Sequence, residues 1–318
     1  VFDLKWKILA CDPLDSIGIQ KLRNAGFDVD VQPNITSEEL RKKIRGYHAI
    51  IVRGRTKVTR DVLKEADELR VVARAGAGLD NIDLKAAEEF GIQVVSASNA
   101  STVSVAELTI GLILDVLRQI PTADEAMKKG SWPKKKIVGR ELRGKTVGII
   151  GVAGRIGSEV ARILKEGFQA NVVGYDIVDA GDIARKLQID LAGSLEELLS
   201  KVDIVTIHVP YTDGTHHLIN KGNIALMRDG VILVNTSRGD VVDGRAVLEA
   251  LKSKKLSGAA LDVYHDEPPE EDWEKELVSL PDGLTVCTCH IGSQTLECQE
   301  AGSIVVAEEI IRIFKEKK

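Results

Sequence analysis

Aromatic residues are scarce in this chain. Phe, Trp and Tyr make up 4% of its 318 residues, so a large core has to be aliphatic. Cysteine is scarce too. Cys11, Cys287, Cys289 and Cys298 show neither zinc nor disulfide spacing, although Cys287 and Cys289 share one face of a β-type run. That excludes a disulfide-stapled scaffold and favours a reduced, cytoplasmic setting. Excess positive charge is absent: the formal net charge is -5 and the pI about 5.8, which argues against a nucleic-acid partner or a polybasic membrane anchor. The short basic cluster 134–136 reads as solvated surface. No apolar run reaches the length of a membrane span; the longest, 106–117, contains Glu107 and Asp115. Residues 1–10 are too short and too charged for a signal peptide. No set of metal ligands stands at sensible spacing, so no metal is expected.

What is present centres on residues 147–176, VGIIGVAGRIGSEVARILKEGFQANVVGYD. An apolar run meets a corner formed by Gly151, Gly154 and Gly157. A helical pattern follows, and a second apolar run ends at Asp176. Strand, tight turn, helix, strand and terminal acid are the layout of a dinucleotide-binding βαβ unit. The low-bulk turn lets the backbone approach a pyrophosphate, and the free N–H groups of the helix start suit that anion. Asp176 would accept hydrogen bonds from the adenosine ribose and oppose a 2′-phosphate, which favours NAD over NADP. One feature departs from the usual G-x-G-x-x-G. The spacing here is G-x-x-G-x-x-G, with one residue too many between the first two glycines.

The rest of the chain repeats the βα rhythm. Short apolar runs at 7–10, 29–31, 49–52, 70–73 and 94–95 alternate with helical patterns at 17–25, 38–44, 59–66 and 82–90. A long apolar helix is expected over 103–120, ended or bent by Pro121, with a short helix at 123–129 and a loop over 130–139 holding Trp132. After Asp176, Ser194 and Glu197 stand in capping-box spacing. Strands follow at 202–208, 231–235, 257–263 and 284–288, with helices at 224–227, 244–251 and 301–314 between and after them. The expected fold is α/β: two doubly wound parallel-sheet domains, the larger of Rossmann type. The expected division is 1–99 with 293–318 for the substrate domain and 100–292 for the NAD domain. The last helix is expected to return to the first sheet, with Lys315, Lys317 and Lys318 suiting a helix C-terminus.

Ligands of open α/β sheets bind beyond the carboxyl ends of the strands. Two turns of the first domain lie there, at Arg53 and at Arg74, Ala75 and Gly76. Their arginines and exposed amides suit a small anionic acid. In the second domain Arg238, Glu267 and His290 each follow a strand. A nicotinamide-linked reaction needs a group to move a proton to or from the substrate oxygen, and histidine titrates near neutrality. Glu267 would hold the imidazole in one tautomer, and Arg238 would bind a carboxylate. His216 and His217, adjacent and pointing in different directions, read as surface or supporting residues, and His48 and His265 lack a companion set. His208 either lines the cofactor cleft or packs.

Seven stretches taken together carry a family resemblance: VVARAGAGLDNID (71–83), STVSVAELTIGLIL (101–114), GRIG (154–157), HVP (208–210), NTSRG (235–239), ALDVYHDEPP (260–269) and HIGSQT (290–295). The sequence resembles the D-isomer-specific 2-hydroxyacid dehydrogenases. The resemblance implies His290 as acid/base, Glu267 as its partner and Arg238 as the carboxylate-binding arginine. It implies NAD contacts from Gly154, Arg155, Ile156, Asp176, His208, Val209, Pro210, Thr236, Asp262 and Gly292. It implies substrate contacts from Arg53, Arg74, Ala75 and Gly76, and a homodimer through the NAD domain. The positive charge of Arg53, Arg55, Lys57 and Arg74 favours a phosphorylated substrate. The expected reaction is therefore NAD-linked oxidation of D-3-phosphoglycerate, with glyoxylate or hydroxypyruvate reduction as the rival. A non-catalytic NAD-binding corepressor or scaffold is the reading from another class. Ser98 stands where the family usually has proline. The resemblance is to the form without a C-terminal regulatory domain, so feedback by serine through such a domain is not expected.

Overall fold

A computed structural model describes residues 6–280 and 283–316. Lys317 and Lys318 of the basic chain end lie outside the described residues, as do residues 1–5. The chain divides into two compact units, residues 1–101 with 293–318 and residues 102–292.

The first unit contains β1 (Lys7–Ala10), α1 (Ser16–Asn24), β2 (Asp28–Val31), α2 (Ser37–Lys43), β3 (Ala49–Val52), α3 (Arg60–Lys64), β4 (Val71–Arg74), α4 (Leu84–Glu89) and β5 (Gln93–Ser96). Its five strands are parallel in the order β2-β1-β3-β4-β5. Strand residues alternate between the two faces. Leu9, Ile50, Val52 and Val72 join one core with α2, α3 and α4, while Ile8, Ile51 and Ala73 join the other.

The second unit begins with α5 (Thr102–Arg118), α6 (Ile120–Lys128), β6 (Thr146–Ile150), α7 (Arg155–Phe168), β7 (Asn171–Tyr175), α8 (Gly181–Leu187), β8 (Asp190–Leu191) and α9 (Leu195–Lys201). It continues with β9 (Ile204–Ile207), α10 (Lys221–Leu226), β10 (Val231–Asn235), α11 (Gly244–Lys252), β11 (Leu256–Leu261), α12 (Asp272–Val278) and β12 (Thr285–Cys287). Its seven strands are parallel in the order β12-β11-β10-β9-β6-β7-β8. Both faces are covered, which is why β9 and β10 are buried along their whole length. Along β10, Ile232 and Val234 face α5 and α7, whereas Val231 and Leu233 face the core under α9 and α11. The protein is thus an α/β fold with two parallel sheets, the larger a Rossmann sheet.

The last helix, α13 (Leu296–Glu316), packs on α1, β4 and β5 of the first unit. It buries Val306, Ile310, Ile313 and Phe314 there. Phe314 supplies two of the few aromatic contacts, with ring centroids 4.9 Å from Trp6 and 5.7 Å from Phe27.

Several elements differ from the sequence expectation. Gln119, at φ 53, ends the long helix, and Pro121 sits in the first turn of α6 rather than at the end of α5. Proline's missing N–H costs nothing at that position. The elements α8, β8 and α12 had not been expected. α8 buries no residue and β8 is exposed, so neither carries the apolar period that marks a buried element.

Candidate active site

The strand order of the larger sheet reverses between β6 and β9, and the turn after each strand meets at that point. Gly151 has φ 89, and a Cβ there would lie 2.5 Å from the His208 carbonyl oxygen. A Cβ on Gly157 would lie 2.2 Å from the Gly151 oxygen. Only glycine permits both approaches. Gly154 caps α7 without any side-chain bond, so the first-turn N–H groups of Arg155 and Ile156 stay available to an anion. These features fit the pyrophosphate of a dinucleotide. The N-terminal half of α7 would hold it, with Asp176 at the ribose.

The surplus residue in the glycine loop has a defined seat. Val152 turns inward and is fully buried against Gly174 of β7. Ala153 then donates its N–H to Asp176 Oδ2 at 2.9 Å, and Val178 N–H reaches Oδ1 at 3.2 Å. The longer loop therefore anchors itself in the core and orients the Asp176 carboxylate, without displacing Gly154 from the helix cap.

Three further strand ends supply polar groups. After β10, the buried Thr236 hydroxyl lies 2.9 Å from that of Thr109 on α5. Arg238 donates from Nη1 to the Ser237 carbonyl at 2.7 Å, and its own carbonyl accepts from Asn235. After β11, Asp262 is almost fully buried. Its carboxylate accepts the Thr288 hydroxyl at 2.6 Å and the N–H groups of Ile291 at 2.8 Å and Gly292 at 2.9 Å. It thereby shapes the segment that carries His290. Ser104 of α5 holds the same segment through the Gly292 carbonyl at 2.6 Å.

His290 Nδ1 stands 2.6 Å from Glu267 Oε2. The residue has φ 54, a left-handed conformation that is uncommon outside glycine and concentrates at functional sites. The Glu267 hydrogen bond raises the imidazole pKa above its ordinary value; burial and the Arg238 charge act against this, and Asp262 adds to it. Beside the pair lies a cavity of about 670 Å³ whose lining includes Tyr264, Pro268, Cys287 and Cys289. No group of three or more metal-binding side chains occurs among the described residues.

His208 closes β9, with Nε2 3.0 Å from the Thr206 hydroxyl, and burial pushes its pKa down to about 3, so the ring is neutral. Val209 is partly buried against the core and Pro210 is exposed. The His216 and His217 rings do not diverge as expected. They stack with centroids 3.9 Å apart, and His217 adopts φ 48. His265 has a companion after all: its Nδ1 is 2.5 Å from Asp240 Oδ1, across the loops that follow β11 and β10.

In the first unit, Arg53 follows β3, beside the point where that strand order reverses, and Arg74 is the last residue of the neighbouring β4. Asp12, at the end of β1, is 2% exposed and organises the Arg53 turn. It accepts from Arg53 N–H at 2.6 Å and the Thr56 hydroxyl at 2.8 Å. Asn81 ties the two turns together, donating to the carbonyls of Arg53 and Thr56 and accepting from Arg74 Nε at 3.2 Å. The Arg74 guanidinium lies over Gly76, and Ala75 packs under α13. Arg55, grouped in the sequence with Arg53, Lys57 and Arg74 for its charge, is engaged within the first unit. Its guanidinium is engaged by Asp12 and the carbonyls of Cys11, Pro33 and Ile35, which makes it a clamp on its own loop. Asp12, Asn81 and Thr109 had no assigned role in the sequence. Each acts through partners distant in the chain, although Asn81 stands inside the 71–83 motif.

Residues 110–292 match the family described as D-isomer specific 2-hydroxyacid dehydrogenase, NAD binding domain. Over 309 residues the chain is 43% identical to D-3-phosphoglycerate dehydrogenase of Methanocaldococcus jannaschii, covering 97% of this chain and 57% of that protein. It is 40% identical to hydroxypyruvate reductase of Thermotoga maritima over 98% of each chain. Among solved structures, D-lactate dehydrogenase of Aquifex aeolicus complexed with NAD and lactic acid superposes with a TM-score of 0.82 at 30% identity, covering 97% of this chain and 94% of that one. The chain belongs to the D-isomer-specific 2-hydroxyacid dehydrogenase family. It spans little more than half the length of the phosphoglycerate dehydrogenases it matches.

Proposed function

We propose that this protein is an NAD-linked dehydrogenase of D-2-hydroxy acids and that its substrate is D-3-phosphoglycerate. The observation that carries the reading is the 2.6 Å contact between His290 Nδ1 and Glu267 Oε2 at neighbouring strand ends of a Rossmann sheet. When bound, the nicotinamide ring exchanges a hydride with the substrate carbon. His290 supplies the proton chemistry. With Nδ1 committed to Glu267, Nε2 is the nitrogen that takes the hydroxyl proton in oxidation and returns it in reduction. Glu267 stabilises the imidazolium formed in between. Arg238 binds the substrate carboxylate and polarises the adjacent carbonyl. From the first unit we assign Arg53 and Arg74 to the anionic groups of the substrate. The identity to phosphoglycerate dehydrogenases supports the phosphorylated substrate. A second reading, hydroxypyruvate reduction, is favoured by the Thermotoga maritima relative, which this chain matches over nearly its whole length.

Paired assays with NADH decide between them. The expected result is a kcat/KM for 3-phosphohydroxypyruvate well above that for hydroxypyruvate or glyoxylate; the reverse order overturns the phosphorylated substrate. Asp176 sets cofactor choice in this reading. Losing a charge-assisted bond costs about 1.5–3 kcal/mol, so Asp176→Ala should weaken NAD binding about tenfold or more and narrow the gap to NADP. An unchanged NAD/NADP ratio in a binding titration removes Asp176 from that role.

A further inference from the structure

Glu267 has to meet His290 from a loop outside any strand. The backbone of that loop is gathered around one buried carboxylate. Glu274, the third residue of α12, is 1% exposed. Its Oε1 accepts the Asp266 N–H at 3.0 Å, and its Oε2 accepts the N–H groups of Glu270 at 3.2 Å and Glu271 at 3.3 Å. The Glu271 bond is the ordinary use of glutamate at this helix position, reaching back to the cap residue. The other two are not. They lie outside the helix, and Asp266 immediately precedes Glu267.

The surroundings give this carboxylate little other support. The small space beside it has apolar walls from Val242, Val247, Leu261, Val263 and Leu277, and no lysine or arginine among the described residues lines it. His265 and Asp266 of the same loop feel the Glu274 charge, and His265 is itself bonded to Asp240. A buried carboxylate is tolerated when N–H donors fill its lone pairs. Satisfying Glu274 thus requires the loop to keep this one path. The path also sets the Tyr264 N–H 3.3 Å from Glu267 Oε1, while Oε2 points at His290.

We propose that Glu274 is a positioning residue for the Glu267–His290 pair, its carboxylate fixing the loop amides so that Glu267 meets Nδ1 of His290. This rests on the reading of His290 as the acid/base group. Glu274→Gln is the informative change. Its carbonyl oxygen can serve Asp266 or the Glu270–Glu271 side, but its NH2 then faces a donor on the other. The helix cap can survive while the loop loses part of its anchor.

The test is an NMR titration of the His290 imidazole in the whole protein, beside kinetics. The groups acting on that imidazole are Glu267, Asp262 and Arg238. In Glu274→Gln, Asp262 and Arg238 stay while the Glu267 contact slackens. The His290 pKa should therefore fall, by about half a unit or more. kcat/KM should fall about tenfold, the usual scale for a supporting residue. Adding Glu274→Gln to Glu267→Gln should cost almost nothing more, since both act through one contact. A lowered Tm with an unmoved His290 titration, or additive losses in the double variant, overturns the proposal and leaves Glu274 a helix cap only. If Glu274→Gln does not fold, amide exchange in the wild-type protein still decides. The Asp266 and Glu270 amides should be protected, and exchange at the rate of open loops overturns the proposal. Should His290→Asn and Glu267→Gln retain full turnover, the acid/base reading fails instead. The NMR titration is independent of turnover and keeps the two failures apart.

Discussion

His290→Asn should lower turnover by about 10²–10⁴-fold, the range of general acid–base catalysis, and leave the fold intact. Asparagine is chosen for a structural reason. His290 has φ 54, and asparagine enters the left-handed region more readily than other non-glycine residues. Alanine would add backbone strain and blur the reading. The pH dependence supplies a second measurement. Glu267 raises the His290 pKa, so the imidazolium persists to higher pH than an ordinary histidine allows. Oxidation needs the neutral ring, and its rate should rise with pH through that raised pKa. Reduction needs the imidazolium and should fall through the same window. Both limbs should vanish in His290→Asn. Turnover close to wild type would remove His290 from the chemistry.

The second large effect is expected at Gly157. The three atoms nearest a Cβ there are all backbone: the Gly151 oxygen at 2.2 Å, the Gly151 carbonyl carbon at 2.9 Å and Val152 Cα at 3.1 Å. No rotamer relieves such a contact, so α7 must move away from the loop. Overpacking of this kind costs about 1–3 kcal/mol, and the displaced helix start should weaken NAD binding by about tenfold or more. Gly167→Ala is the control. It lies in the same helix, is exposed, and has nothing within 4 Å of its added Cβ. Alanine should stabilise that position by about 0.5–1 kcal/mol. Thermal melts should therefore fall for Gly157→Ala and rise for Gly167→Ala, and NAD binding should weaken only in Gly157→Ala. Unaltered NAD affinity in Gly157→Ala would show that the helix start does not need this approach.

The extra residue of the glycine loop illustrates how far sequence reasoning reaches. The spacing revealed the surplus but not its consequence. That depended on Val152 finding room over Gly174 and on the Ala153 amide meeting Asp176, contacts that belong to β7 rather than to the loop. Arg55 shows a different limit. As a charge count it belonged with Arg53 and Arg74, yet its donors are spent on carbonyls of two neighbouring loops.

By itself the sequence determined the two parallel sheets and the cofactor corner. Strands buried on both faces must read as short, continuous apolar runs, and a backbone that approaches backbone must carry glycine; both are local requirements. It also marked Arg238, Glu267 and His290 as polar residues just beyond strands. Only the tertiary structure decided which of them meet. The Glu267–His290 contact joins residues from loops after different strands, and hydrogen-bond partners leave no period or spacing in the chain. The same holds for Asp12 beneath the Arg53 turn and for Glu274 beneath the Glu267 loop. Each is a buried acid that gathers backbone amides, from the distant Arg53 turn for Asp12 and from the loop just before α12 for Glu274, and residue type alone does not distinguish it from the solvated acids around it.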